Sequence, residues 1–455
     1  MIITHEYRIL PSDDQAALMT EWLELLRRQW NDALGQRLDW LTATRCPIDR
    51  CSLVSCPLPV SEAPLEPNYY RQAGSLKQIK QLFPAYQGIY AEVLQQNLMR
   101  LDKAWKAWRE PDSTGKRRGR PRFKKAGELR SFTFPRINCP GPPTSPRPPC
   151  PPYTGGWGAS RGAGAHLEGE TLRLSKIGSM PVVLHRPLPE GFVPKTCTVV
   201  RKADGWYVCI SLEDKSVPLP EPVPIKKAVG IDVGLDRFLT TSDGEVVPIP
   251  RHYRRAQKHL ARQQRQLSRK VKGSANWKKQ ATKVACLQLH VARQRKAFHY
   301  QVAHWLVGQY DLLVVEDLNV RGLARTRLAK SILDAAWGRF LDILTAVAVK
   351  RGKQVLRVEP RGTSQNCCVC EEHVPKTLSE RVHDCPRCGS WDRDLNAAIE
   401  ILKRGLRSPR IRGDIGGRGD IWGGPVRVGM RGGSVQQVQC IHHENRLPVP
   451  LAAHC

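Results

Sequence analysis

Cys367-Cys368-Val369-Cys370, then Cys385-Pro386-Arg387-Cys388, then Asp392-Arg393-Asp394-Leu395-Asn396-Ala397-Ala398: this run decides the fold. Two C-x-x-C pairs joined by a short loop make a tetrahedral thiolate site for Zn2+. The joining stretch, residues 371–384, is slightly shorter than is usual for paired knuckles. Cys367, Cys370, Cys385 and Cys388 are the expected ligands, with Cys368 a bystander between the first two. Four thiolates leave no open coordination position, so this zinc is structural rather than catalytic. The ribbon either acts only as a staple or, through Arg381, His383 and Arg387, also touches nucleic acid. Asp394 then opens a short helix over 395–403. Taken alone, such an acid reads as a helix cap. Beside a zinc ribbon it also reads as a metal ligand working on nucleic acid.

The bulk properties favour the second reading. The 455-residue chain exceeds what one core usually supports, so two to four domains are expected. Its formal net charge of +30 calls for a polyanionic partner. Nucleic acid fits better than an anionic membrane surface, because no basic amphipathic helix adjoins an apolar anchor. The first residues lack a signal-peptide core, and no run of about 18 apolar residues occurs. No membrane association and a cytoplasmic, prokaryotic setting are therefore expected. The 15 cysteines are too unevenly placed for a secreted disulfide scaffold. Cys46, Cys51 and Cys56 lack the knuckle spacing and read as free thiols.

Residues 2–10 alternate as a strand, and Ser12-Asp13 offers a helix start. Leu18, Trp22, Leu25, Leu26, Trp30 and Leu34 then recur at helical spacing, as do Leu94, Leu98, Leu101, Trp105 and Trp108 within 86–109. These tryptophans read as core. Lys116, Arg117, Arg118, Arg120, Arg122 and Lys124 follow in a loop that Gly and Pro keep from becoming helical. They are candidates for phosphate contact, against a merely solvated loop. Residues 135–165, rich in Pro and Gly, read as a linker or a disordered insertion. Strands are expected over 171–213, with an Asp204-Gly205 turn making a hairpin.

From about 226 the texture changes. Residues 251–300 contain no Asp or Glu and read as two helices broken at Gly273-Ser274. A one-signed face repels itself unless it lies on a polyanion, so Arg262, Arg265, Arg269 and Lys270 are nucleic-acid-binding candidates. Asp232 and Glu316 each sit in an apolar strand. Burying lone carboxylates is costly unless they are paired or bind a metal. Asp232, Glu316 and Asp394 converging would repel one another, and divalent cations would remove that penalty. Hard oxygen ligands suit Mg2+ or Mn2+, and two such ions support phosphodiester cleavage. The tail from about 406 is rich in Gly and Arg and reads as disordered.

Four segments carry a family resemblance. Gly230-Ile231-Asp232-Val233-Gly234, Val314-Val315-Glu316-Asp317-Leu318, the ribbon from Thr363 to Gly389, and Asp392-Arg393-Asp394-Leu395-Asn396 match in order and spacing across 226–405. Together they resemble TnpB-type proteins, the RNA-guided nucleases of certain bacterial transposons, related to small type V CRISPR effectors. Glu371 stands where that family often has Gly. The resemblance implies an α/β fold with all-β and helical parts. Its centre would be a RuvC (RNase H-like) nuclease domain at 226–362 and 390–405, with a zinc ribbon at 363–389 inserted in it. A wedge β-barrel would occupy 1–12 and 120–225, carrying a helical recognition lobe at 13–119. It further implies a guide RNA, a target double-stranded DNA, and metal ligation by Asp232, Glu316 and Asp394. A miniature CRISPR effector and an RNA-guided repressor that binds without cutting are the alternatives. Oligomeric state is open.

Overall fold

A computed structural model describes residues 1–44, 65–112, 115–138, 163–218, 220–377 and 380–408. Cys46, Cys51 and Cys56, most of the Pro/Gly stretch, and the Gly/Arg tail from 409 lie outside the described residues.

The N-terminal half wraps helices onto one large sheet. Strand β1 (Ile2–Ile9) leads into helix α1 (Asp13–Thr44), then α2 (Tyr69–Gly74), α3 (Leu76–Leu82) and α4 (Ala91–Arg109). Next come β2 (Ser131–Phe134), β3 (Ile137–Asn138), β4 (Ala165–Glu168), β5 (Thr171–Leu174), β6 (Gly178–Val183), β7 (Val193–Lys202) and β8 (Gly205–Glu213). Their order in the sheet is β2-β7-β8-β1-β6-β5-β4-β3. Helix α1 starts with a capping box: Gln15 N–H donates to Ser12 Oγ at 3.2 Å, and Ser12 N–H to Gln15 Oε1 at 3.0 Å. Trp22, Leu26, Trp30 and Leu34 of α1, with Leu94, Leu98, Leu101 and Trp105 of α4, are buried in one cluster with Tyr7, Phe132, Phe134 and Val208 of the sheet. The tryptophans are thus core. A buried ion pair, Arg37 to Asp102 at 3.1 Å, ties α1 to α4, and Gln72 Oε1 accepts from Arg37 Nε at 3.0 Å.

Both ends of the 135–165 stretch belong to the sheet, contrary to the linker reading. Ile137 pairs with Ala165 in parallel strands, and both are buried. Their apolar side chains stay in the core, and the Pro/Gly-rich part lies between them.

The second half is built on a five-stranded mixed sheet of order β11-β10-β9-β12-β13. It comprises β9 (Ala228–Val233), β10 (Arg237–Thr241), β11 (Val246–Pro248), β12 (Leu312–Glu316) and β13 (Gln354–Val358). Between β11 and β12 run α5 (His252–Ser268) and α6 (Ala275–Gln309). Between β12 and β13 come α7 (Val320–Leu323), α8 (Ala329–Ala335) and α9 (Trp337–Val349). β9 and β12 are parallel, as are β12 and β13. Such strands bury both faces, which is why Leu312 to Val315 form an unbroken apolar run. Val229, Ile231, Leu313 and Val315 pack with Val302, Leu306, Phe340 and Leu344 of α6 and α9. Leu312 and Val314 face the other way, toward Ile401 of the final helix, α10 (Arg393–Leu406). Before it, β14 (Val382–Cys385) and β15 (Gly389–Asp392) form a small hairpin that runs straight into α10. No described helix is long and apolar enough to cross a membrane.

The break between α5 and α6 falls at Gly273, with φ of 89°, and Ser274, whose hydroxyl accepts from Trp277 N–H at 3.1 Å. Helix α5 has no acid in its first turn. Asp334 of α8 supplies one instead, accepting from Tyr253 N–H at 2.8 Å and Arg254 N–H at 3.1 Å.

His299 of α6 is expected to make this half acid-sensitive. It is 1% exposed and stacks on Phe238, with Phe298 and Phe340 beside it. Burial pushes its pKa down to about 4, although a hydrogen bond to Ala335 O at 3.0 Å opposes the shift. Below pH 6.5 the unfolded chain takes up a proton that the folded one refuses. Stability therefore falls as pH drops from 6.5 to about 4, by about 3 kcal/mol over that window. His299→Phe removes this slope at a constant cost of one hydrogen bond. Urea unfolding of parent and variant at pH 7 and 4.5 checks this. Equal losses in both would assign the acid sensitivity to other groups.

Candidate active site and cysteine cluster

Register brings two of the three acids side by side. β9 pairs with β12 from Ala228–Leu312 to Ile231–Val315. One step further, Glu316 stands beside Asp232 at the ends of neighbouring parallel strands. Gly230 and Asp232 share one face of β9, and Leu312, Val314 and Glu316 share that same face of β12, because side chains alternate. That face is covered by α10, whose first turn carries Asp394.

Close approach of α10 depends on glycine. A Cβ on Gly230 would lie 2.0 Å from Ala398 O and 2.7 Å from Leu402 N, and one on Gly405 2.5 Å from a Val314 methyl. The helix backbone therefore rests directly on β9 and β12, from one to three turns beyond Asp394. Gly230→Ala should lift α10, cost about 3 kcal/mol and carry Asp394 away from Asp232. A melting temperature unchanged within 2 °C would show that the helix yields without strain.

Asp394 is not the helix cap. Asp392 performs that task, with Oδ1 accepting from Asp394 N–H at 3.0 Å and Leu395 N–H at 3.1 Å. Asp394, 9% exposed, instead receives Arg393 through Nε at 3.1 Å and Nη2 at 2.8 Å on a single oxygen. Glu316, also 9% exposed, accepts the Thr363 hydroxyl on Oε1. Burial raises the Glu316 pKa, against the Thr363 hydrogen bond and the Arg404 charge. Asp232 is only half-buried by surface, yet dense surroundings push its pKa up to about 8. Repulsion from Glu316 and then Asp394 adds to the shift, and Arg393 opposes it. Asp232 thus feels both other acids, while Glu316 and Asp394 are each held by a neighbouring side chain.

Thr363, Arg393 and Asp392 were not singled out from the sequence as site residues, although all three lie inside the quoted motifs. Their signal was adjacency: Thr363 opens the segment before the first knuckle, and Asp392 and Arg393 directly precede Asp394.

The cysteines converge as their spacing predicted. The Sγ atoms of Cys367, Cys370, Cys385 and Cys388 all lie within 4.8 Å of one another, with Cys370 and Cys385 at 3.5 Å. Tetrahedral zinc–thiolate bonds of about 2.3 Å imply sulfur separations of about 3.8 Å, so the cluster fits such an ion. Val369 N–H donates to Cys367 Sγ at 3.4 Å, as a knuckle requires. Among the described residues this is the one group of His, Cys, Asp or Glu packed so tightly. Glu371 has a left-handed φ of 64°, which explains why glycine suits this position, and its carboxylate pairs with Arg407.

Ribbon and sheet are locked together. Asn396 of α10, fully buried, donates from Nδ2 to Asn366 O and accepts on Oδ1 from Cys368 N–H, both at 2.8 Å. Arg237 reaches Asp392 at 3.0 Å, and Arg381 pairs with Asp236. The second knuckle is thereby tied to the turn that follows Asp232.

The basic candidates occupy two separate places. Arg262, Arg265, Arg269 and Lys270 are exposed on or just after α5. Lys116, Arg117, Arg118, Arg120 and Arg122 are exposed on the 115–125 loop. Lys124 is half-buried, with its ammonium 4.5 Å from the centre of the Trp30 ring.

Three family profiles match the chain. A "Probable transposase" profile of the OrfB/IS605 family covers residues 207–327, a "Cas12f1-like, TNB domain" profile 337–401, and a "Helix-turn-helix domain" profile 1–46. Over the last stretch the described backbone is one strand and one continuous helix, β1 and α1. A Streptomyces pristinaespiralis protein named "Putative RNA-guided DNA endonuclease" is 30% identical over 408 residues, covering 88% of this chain and 89% of that one. InsQ of Escherichia coli K12, which carries the same name, is 31% identical over 334 residues, covering 69% and 74%. A solved structure described as "Cryo-EM structure of the Cas12f1-sgRNA-target DNA complex" matches at 13% identity with a TM-score of 0.31, covering 89% of this chain and all of that one. Fold and site together define a mixed α/β protein with acids at a sheet end beside a four-cysteine ribbon. The chain belongs to the OrfB/IS605 family of TnpB-type proteins.

Proposed function

We propose that this protein is an RNA-guided, metal-dependent DNA endonuclease associated with a transposon. The observation that carries the reading is that Asp232 and Glu316 end neighbouring strands beneath α10, whose first turn carries Asp394, with burial and then repulsion from Glu316 and Asp394 raising the pKa of Asp232. The strand order, third-second-first-fourth-fifth in sequence, supports an RNase H-like RuvC domain at 226–362 and 390–405. The eight-stranded sheet and α1–α4 support the wedge barrel and recognition lobe. The names borne by the two relatives support guide RNA and target DNA as partners.

The donor set fits the metals. Three hard carboxylates suit Mg2+ or Mn2+, and four thiolates suit structural Zn2+. Bound at the acids, two divalent ions supply Lewis-acid chemistry that activates water and stabilises the leaving oxygen. The chain's own residues prepare that chemistry. Strands β9 and β12 fix the positions of Asp232 and Glu316. The Thr363 hydroxyl occupies one Glu316 oxygen and leaves the other for ligation. Arg393 does the same for Asp394. The exposed cations of α5 hold a phosphate backbone without reading sequence, which base pairing with a guide would supply.

Purifying the protein from cells carrying its native locus and sequencing the retained RNA tests this. One dominant RNA ending in a variable segment, with cutting of DNA matched to that segment, is expected. Heterogeneous cellular RNA, with cutting that survives RNase treatment, would replace the guided reading with a structure-selective nuclease.

A further inference from the structure

We infer that the groove between α1, α4 and the 115–125 loop is a subsite for one unpaired nucleotide of the guide RNA, with its base on Phe123 and its phosphate between Arg118 and Arg122. The inference deepens the proposed function and rests on it.

The groove has a volume of about 300 Å3 and is lined by Trp30, Arg118, Pro121, Arg122, Phe123 and Lys124, among others. The loop is pinned along its length. Arg118 N–H donates to Ala107 O at 2.9 Å, and Trp30 Nε1 donates to Arg122 O at 3.3 Å. Asn31 exchanges two hydrogen bonds with the Lys124 backbone, at 2.8 and 2.9 Å, and Arg27 Nη1 donates to the same carbonyl at 3.0 Å. A glycine- and proline-bearing loop is thereby held as a fixed surface rather than a tether.

The aromatic rings along it are not equivalent. Trp30 is 5% exposed and its face is covered by the Lys124 ammonium, while the Arg120 guanidinium lies over Trp108 at 5.8 Å. Phe123 is 54% exposed and has no ring partner among the described residues. A lone exposed phenylalanine is ordinary. This one is held on a pinned backbone and lines the groove together with the exposed Arg118 and Arg122. The acid in the lining, Glu128, is already engaged by Lys125 N–H at 2.9 Å. An apolar platform inside a cationic rim fits a base joined to a phosphate. Unpaired RNA offers unstacked bases for aromatic stacking, whereas a target duplex presents its bases paired and stacked.

The test uses the full chain and its own co-purified RNA, released, labelled and rebound across a salt series. Phe123→Ala should weaken binding roughly 5- to 150-fold with an unchanged salt slope, and Phe123→Trp should restore it. Arg122→Ala should lower the salt slope by about one. Ultraviolet cross-linking should join Phe123 to RNA. Unchanged affinity in Phe123→Ala, or cross-linking to target DNA instead, overturns the inference and leaves the guided-nuclease reading standing. A parent protein that retains no defined RNA removes both, and that outcome is recognised before any variant is made.

Discussion

Asp232→Ala is expected to abolish DNA cleavage, lowering the rate by at least about 10^3-fold, while leaving guide retention and folding intact. The size follows from the position. Asp232 lies beside Glu316 at the strand ends and feels the charge of both Glu316 and Asp394, so its removal would take a carboxylate ligand from the centre of the proposed metal site. A loss of that order corresponds to about 4 kcal/mol of transition-state stabilisation. Stability moves the other way. Deleting one of three mutually repelling acids relieves strain in the folded state, so the variant should melt no lower than the parent. Plasmid cleavage, RNA retention and thermal unfolding measured together separate the possibilities. Cleavage at the parental rate would sink the triad assignment. Loss of retained RNA or a lower melting temperature would make Asp232 a structural residue.

Cys385→Ser is expected to be nearly as severe by a different route. Cys385 ends β14, pairs with Gly389 across the hairpin and places its sulfur 3.5 Å from that of Cys370. Removing one thiolate from a four-thiolate site should release the ion, and with it the fold of a segment having little apolar core of its own. The damage should not stop there. Asn396 holds α10 to Asn366 and Cys368, so a collapsed ribbon frees the helix that carries Asp394. Bound zinc should fall from about one equivalent toward none, and cleavage should fall with it. Full cleavage by a zinc-free variant would reduce the cluster to an incidental group of thiols.

The sequence was most legible where chemistry fixes spacing. Two knuckles, three acids in apolar or helix-starting contexts, and a Gly-Ser break between basic helices could each be read locally, because each depends on neighbours within a few residues. The β7–β8 hairpin was also legible. Its two-residue turn is Ala203-Asp204, one position before the expected pair, with Gly205 at φ of 139° opening the next strand. What escaped was tertiary. The cap of α5 comes from Asp334, about 80 residues away, and no spacing rule reaches that far. Asp392 and Asp394 are equally plausible caps on paper, and only the backbone decides between them. Strand β13 escaped because its residues are only half-buried apart from an exposed Arg357, so its apolar signal is weak. Thr363 escaped because a hydroxyl has no motif of its own until a carboxylate is placed against it.

The placement of α10 has a consequence in time. Asp232 and Asp394 are 162 residues apart in the chain, and the third acid arrives only after both knuckles have been made. At ribosomal rates of roughly 5–20 residues per second, the first acid waits roughly 10–30 seconds for the last. The basic α5–α6 hairpin, residues 252–309, is also complete before Asp394 is made, so on the proposed function RNA could be gathered before the acid set is whole. If the proposed acid set is correct, loading with nucleic acid precedes completion of the site, and a chain truncated before Asp394 is expected to bind RNA without cutting DNA.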